Sequence, residues 1–322
     1  MPSALLLLFG LVALIAGAEL VVRCGSRLAR RIGIPPIVVG LTVVSLGTSA
    51  PELAVGIDAV SSGAGSLAVG NIAGTNIVNL LLILGLSAMI RPISLGLQTL
   101  KLDLPAMAVA AVLLSLLALD GSLSVLDGVL MFSLAIVYSL LLLVAVRRES
   151  ARVLEEFAEE YPEARRGGVG PTVVQLLGLL AGIVVIVVGA DWLVDGAVDI
   201  AEAAGVSDAF IGLTIIAIGT SAPELATTII STIRGDRDIA IGNLIGSSTY
   251  NLTIIMGASL FFAPGFVPLG PDLIYIDLPA MALVSLVCIP VFLTGRRVSR
   301  AEGIAFVTAY AAFLTYLLLT RL

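Results

Sequence analysis

Apolar residues run through this chain in stretches long enough to cross a bilayer as helices, roughly 17–25 residues each, with short polar breaks between them. The pattern predicts spans at approximately 3–22, 36–60, 66–89, 102–119, 124–146, 172–194, 209–233, 239–262, 273–294 and 302–320. Backbone polar groups in lipid must be satisfied within the segment, so runs of this length read as helices. The expected fold class is an all-α polytopic membrane protein of ten transmembrane helices. All but Arg321 of the 17 Lys and Arg residues fall in connections that follow odd-numbered spans. These include Arg23, Arg27, Arg30 and Arg31 after the first, Arg91 and Lys101 after the third, and Arg234 and Arg237 after the seventh. The positive-inside rule then makes those connections cytoplasmic and places both termini outside.

The halves repeat. Residues 40–90 align without a gap with 212–262 at a constant offset of 172, and "GTSAPELA" occurs at 47–54 and again at 219–226. "AVGNIAGTNIVNLLLILG" at 68–85 meets "AIGNLIGSSTYNLTIIMG" at 240–257, and "DLPAMA" at 103–108 recurs at 277–282. Five spans per half turn the second half upside down, and the charges agree: Arg23, Arg27 and Arg30 align with Asp195, Asp199 and Glu202. The expected organisation is a first five-helix repeat at 1–146, a cytoplasmic linker at 147–171 and a second, inverted repeat at 172–322. Inverted-topology repeats are an architecture of secondary transporters, with the ion site near the midplane.

Composition narrows the chemistry. The chain is 322 residues long, 59% hydrophobic and 12% charged, with a net charge of −6. It has no histidine, and its two cysteines, Cys24 and Cys288, are too few and too far apart for a disulfide framework or a zinc site. No basic n-region precedes the first apolar run, which counts against a cleaved signal peptide. No nucleophile–base pair stands out, so a transporter is expected and not an enzyme. Nothing points to a nucleic acid, a cofactor or an obligatory protein partner; the partners expected are transported ions and the lipid bilayer.

Each "GTSAPELA" sets a carboxylate, Glu52 or Glu224, beside a helix-breaking proline, Pro51 or Pro223. A break frees backbone carbonyls and bares the hydroxyls of Thr48, Ser49, Thr220 and Ser221, which lipid tolerates only where a cavity or protein covers them. No Lys or Arg within the repeat cores can neutralise the two acids, so a cation or a proton must. Asn79 and Asn251 lie about two helical turns after Asn71 and Asn243, with Thr75 and Ser247 one turn before them on the same face. Carboxylates, amides, hydroxyls and carbonyls make an oxygen-only site that suits Ca²⁺ or Na⁺, and two carboxylates match the charge of one Ca²⁺.

These motifs resemble the two α-repeats of the calcium/cation antiporter superfamily, most closely its sodium/calcium exchanger branch with its small prokaryotic members. The resemblance is specific over 40–90 and 212–262. It implies that Glu52 and Glu224 coordinate Ca²⁺, and that Thr48, Ser49, Thr220 and Ser221 are Ca²⁺ and Na⁺ ligands. It adds Thr75, Asn79, Ser247 and Asn251 from the third and eighth spans, and implies that spans one and six slide past the core. Some members carry Asp at the position of Asn251, so Asn here counts against potassium coupling. The expected activity is Na⁺/Ca²⁺ antiport by alternating access, exporting Ca²⁺ across the inner or plasma membrane. A Ca²⁺/H⁺ antiporter of the same superfamily is the nearest rival, and a cation channel the rival of another class. For Asn71 and Asn243 two readings stand side by side, ion ligand or brace to a neighbouring helix. Glu19 reads as a structural partner of Arg23, Asp103 and Asp277 as helix-start signals, and Asp58 as a cation attractor at an entrance.

Overall fold

The computed structural model describes residues 2–160, 169–204 and 217–321. Its helices are α1 (Ser3–Ile32), α2 (Pro36–Thr48), α3 (Ala50–Ser61), α4 (Gly65–Ile90), α5 (Thr99–Asp120) and α6 (Val125–Glu160). The second half continues with α7 (Val169–Ala203), α8 (Ala217–Thr220), α9 (Ala222–Arg234), α10 (Arg237–Leu260), α11 (Leu273–Leu293) and α12 (Arg300–Arg321). Among the described residues eight helices are long and apolar enough to cross a membrane, and α2 with α3, bent by 44°, makes a ninth. The seventh expected span is described only from Ala217, so Gly212, Leu213 and Thr214 of the second repeat lie outside the described residues.

Several helices outrun their expected spans. Helix α1 continues through its arginines to Ile32, where Gly33 takes a left-handed φ of 72° and returns its N–H to Ala29 O. Helix α6 runs unbroken to Glu160, so the first part of the expected linker extends the fifth span. Neither extension contains a proline, and Gly25 of the first stays helical; a formed helix propagates until something stops it, as Gly33 does for α1. Residues 161–168 of that linker lie outside the described residues.

Helices α10 and α4 form the centre. Their most apolar stretches are 94% and 78% buried, against 33% for α1 and α7 and 17% for α12. The outer helices turn Leu8, Val12, Val174, Val184 and Leu319 outwards, as lipid-facing surfaces do. Helices α1 and α7 pair along glycines: a Cβ on Gly10 would lie 2.7 Å from Gly189 O, and one on Gly182 would lie 3.1 Å from Gly17 O. Only glycine allows backbones so close. This pair forms its own apolar cluster beside the main core.

Two short antiparallel ladders fasten the connections. Ile93 and Ser94 pair with Val298 and Arg297, while Ser122 and Leu123 pair with Pro268 and Val267. The first ladder precedes α5 and the second follows it, so they sit at opposite ends of the bundle. The first end gathers basic connections: Arg300 donates to Ile90 O at 3.3 Å, and Arg23 and Arg234 both meet Glu19. The second end joins connections without Lys or Arg, with Ser66 donating to Pro268 O at 2.6 Å.

Candidate functional site

The helix breaks come two residues before the prolines. Ser49 (φ −87°, ψ 12°) and Ser221 (φ −86°, ψ 6°) leave the helix in nearly the same conformation. Pro51 and Pro223 then sit in the first turn of α3 and α9, where a missing N–H leaves no helical acceptor unpaired. Ser-x-x-Glu here has the spelling of a capping box, yet neither serine caps its own helix. Ser49 Oγ instead crosses to the other repeat and donates to Glu224 Oε1 at 2.8 Å.

Both acids are fully buried, with no exposed surface, and they lie within electrostatic range of one another. Ser247 Oγ lies 3.3 Å from the same Glu224 oxygen. Thr48 donates to Asn243 Oδ1 at 3.1 Å, and Asn243 Nδ2 donates to Thr228 Oγ1 at 3.2 Å. This chain of bonds ties α2 to α10 and α9, so for Asn243 the structure favours the brace. Asn71 is only half buried, and its Nδ2 has no partner.

Most of the other expected residues are buried without partners, and the π-turns of Asn251 and Asn79 pack against α3 and α9, which carry Glu52 and Glu224. No hydrogen-bond partner reaches either side-chain polar atom of Asn79 or Asn251, Thr75 Oγ1, Ser221 Oγ or Glu224 Oε2, and none reaches the two oxygens of Glu52. All these residues are at most 2% exposed. Thr220 is half buried at the end of α8. A buried polar group left unpaired costs about 1–3 kcal/mol. Each such orphan needs an explanation, and oxygen donors of this kind suit a hard cation. Among the described residues no three His, Cys, Asp or Glu side chains cluster.

Asn79 and Asn251 stand on π-helical turns, Val78–Ile83 and Asn251–Ile255, and a second pair of π-turns, Thr99–Asp103 and Leu273–Asp277, also recurs between the halves. Such turns release backbone groups from the α-helical ladder and often mark functional positions. Asn76 Oδ1 and Ser248 Oγ, aligned at the repeat offset, are two further buried orphans that the sequence reading passed over. Their shared offset and polarity were the available signal. Asp103 directly precedes the α-helical segment Leu104–Leu117, as expected of a helix start, and is also fully buried in its π-turn, where it accepts a hydrogen bond from Tyr138 at 3.0 Å. Asp58 is exposed. A cavity of about 90 Å³ is lined by Gly70, Asn71, Gly74 and Thr75, with Tyr310 and Phe313 of α12.

Known proteins resemble this chain over most of its length. The model of the sodium/calcium exchanger protein family matches residues 2–144 and 174–319. The chain is 37% identical to the inner membrane protein YrbG of Escherichia coli, over 88% of this chain and 86% of that one. It is 31% identical to the sodium/calcium exchanger MaX1 of Methanosarcina acetivorans, over 97% of both. The solved structure of the sodium-calcium exchanger NCX_Mj is similar over 99% of this chain and 98% of that one, with a TM-score of 0.80 at 28% identity. This multi-pass membrane protein belongs to the sodium/calcium exchanger family of the calcium/cation antiporters.

Proposed function

We propose that the chain is a secondary active antiporter that exchanges Na⁺ for Ca²⁺ by alternating access, and that it exports Ca²⁺ across the inner or plasma membrane. One observation carries the reading: two fully buried acids, one from each repeat, lie within electrostatic range of one another, keep three oxygens without hydrogen-bond partners and form no ion pair with Lys or Arg among the described residues. An uncompensated buried charge is too costly to persist, so a cation or proton must accompany it.

In this account Glu52 and Glu224 hold Ca²⁺, assisted by Asn79, Asn251 and the hydroxyls of Thr48, Ser49, Thr75, Thr220, Ser221 and Ser247. Na⁺ competes for overlapping oxygens of the same set. Ten spans form two inverted halves, 1–146 and 172–322, joined by the cytoplasmic segment 147–171, with both termini outside. The gathering of basic connections at one end of the bundle supports this topology. Ions are the only transported partners in this scheme, and no cofactor takes part.

The test is ⁴⁵Ca²⁺ uptake into proteoliposomes loaded with Na⁺, beside Na⁺-free vesicles carrying a pH gradient. Uptake that requires internal Na⁺ is the expected result. Uptake driven by the pH gradient alone would move the protein to the proton-coupled branch of the superfamily.

A further inference from the structure

At the basic end of the bundle lies a second cavity, of about 360 Å³, lined by none of the residues assigned to the cation site. Arg91, Pro92, Ile93 and Ser94 line it from the connection before α5, and Thr232, Gly235 and Arg237 from the turn between α9 and α10. The charged residues in this lining are both arginines. Arg237 approaches Asp238 only to 4.0 Å. Arg234, nearby, is engaged with Glu19.

Three kinds of donor converge here. Arg91 lies over the end of α9, where a Cβ on Gly235 would come within 2.7 Å of Nη1; Gly235 also holds a φ of 78°, which suits glycine alone. The first backbone N–H groups of α10, at Arg237 and Asp238, have no intrahelical acceptor, and no side chain caps that end. Thr232, independently, is only 3% exposed and its hydroxyl has no partner. Guanidinium forks, a bare helix N-terminus and a buried hydroxyl together favour a tetrahedral oxyanion, although Asp236 and Asp238 flank the same helix start and neither carboxylate lines the cavity. Backbone ladder Ile93–Ser94 to Arg297–Val298 fixes one wall.

We propose that this cavity binds a phosphate group, carried either by an anionic phospholipid headgroup or by a free phosphate compound. The bound group would bridge the segment 91–94 to the α9–α10 turn. Helix α9 carries Glu224 and α10 carries Ser247, so the bridge would steady the helices of the second repeat's half of the cation site.

The test uses the purified full-length protein and reads binding through its thermal unfolding midpoint. Inorganic phosphate is titrated against chloride at matched ionic strength. In parallel, the protein is placed in nanodiscs of phosphatidylcholine with or without phosphatidylglycerol. Wild type should be stabilised by one of the two probes. Arg91→Gln and Arg237→Gln should each weaken that response about tenfold or more, as loss of a charge-assisted hydrogen bond implies. Thr232→Val should weaken it less, and Arg30→Gln, an exposed arginine outside the cavity, should leave it unchanged. A response to phosphate alone assigns a soluble ligand, and a response to phosphatidylglycerol alone assigns a headgroup. No response in wild type to either probe would overturn the proposal, as would equal responses in all the arginine variants. Midpoints without added ligand show whether each variant folds.

Discussion

The two repeats spell the same motif, "GTSAPELA" at 47–54 and 219–226, yet the fold holds them differently. Glu224 accepts from Ser49 and has Ser247 beside it. The symmetric bonds would run from Ser221 and Thr75 to Glu52, but both hydroxyls and both Glu52 oxygens are without partners. The glycines tell the same story. On α10, a Cβ at Gly242 would lie 2.6 Å from Ile37 O and one at Gly246 would lie 2.8 Å from Leu41 O, so α2 and α10 touch backbone to backbone. On α4, Gly70 and Gly74 line a cavity instead. On the proposed inverted topology the two halves face opposite sides of the membrane, so one conformation must treat them unequally. On the antiporter reading, the closed half and the open half exchange these roles in the other end state.

That asymmetry gives variants an order. The largest effects belong to the acids: Glu52→Gln and Glu224→Gln should each cut Na⁺-dependent ⁴⁵Ca²⁺ uptake by about a hundredfold or more, the scale of breaking a buried ion pair. Full uptake in either variant would remove that acid from the site. Packing comes next. Gly246→Ala forces a Cβ to 2.7 Å from Ser45 Oγ and to 2.8 Å from Leu41 O, and overpacking of this kind costs about 1–3 kcal/mol. Gly74→Ala meets no described atom within 4 Å. Unfolding midpoints in detergent should therefore fall for the first and hold for the second; equal losses would erase the contrast between the halves.

The brace ranks third. Asn243→Ala removes the link from Thr48 to Thr228 and should cost about 1–2 kcal/mol of stability, whereas Asn71→Ala in the other half should cost little. Thermal unfolding of the pair checks this. Smallest is the pair of break serines. Ser49→Ala removes a hydrogen bond to a carboxylate and should weaken apparent Ca²⁺ affinity about tenfold, and Ser221→Ala by less. Equal shifts in concentration-dependent uptake would show that the two breaks act alike.

Much of this molecule was legible in the letters. Apolar run lengths marked the membrane helices, of which eight or nine stand among the described residues, the constant offset of 172 marked the repeated sequence, and an acid beside a proline marked each helix break and its buried carboxylate. What stayed hidden has physical reasons. Proline excludes a helix upstream without saying where it ends, so the break at Ser49 precedes Pro51 by two residues. π-Turns carry no propensity of their own, which hid the setting of Asn79 and Asn251. Burial decides what a polar residue means: Asp103 marks a helix start, as its letters indicate, but its burial against Tyr138 is not written in them. Asn243 and Asn71 occupy equivalent places in the repeat; only their surroundings separate a brace from an unpaired amide. The inequality of the two halves is a property of one conformation, and no sequence pattern encodes that.

The central claim is that each repeat contributes one carboxylate to a single Ca²⁺ site. Isothermal titration of Ca²⁺ into the purified protein in Na⁺-free buffer tests it most directly, with wild type, Glu52→Gln and Glu224→Gln run side by side. The account predicts one tightly bound Ca²⁺ per chain in wild type and its loss in both variants. Retention of that Ca²⁺ at unchanged affinity in either variant would contradict it, because one acid would then suffice.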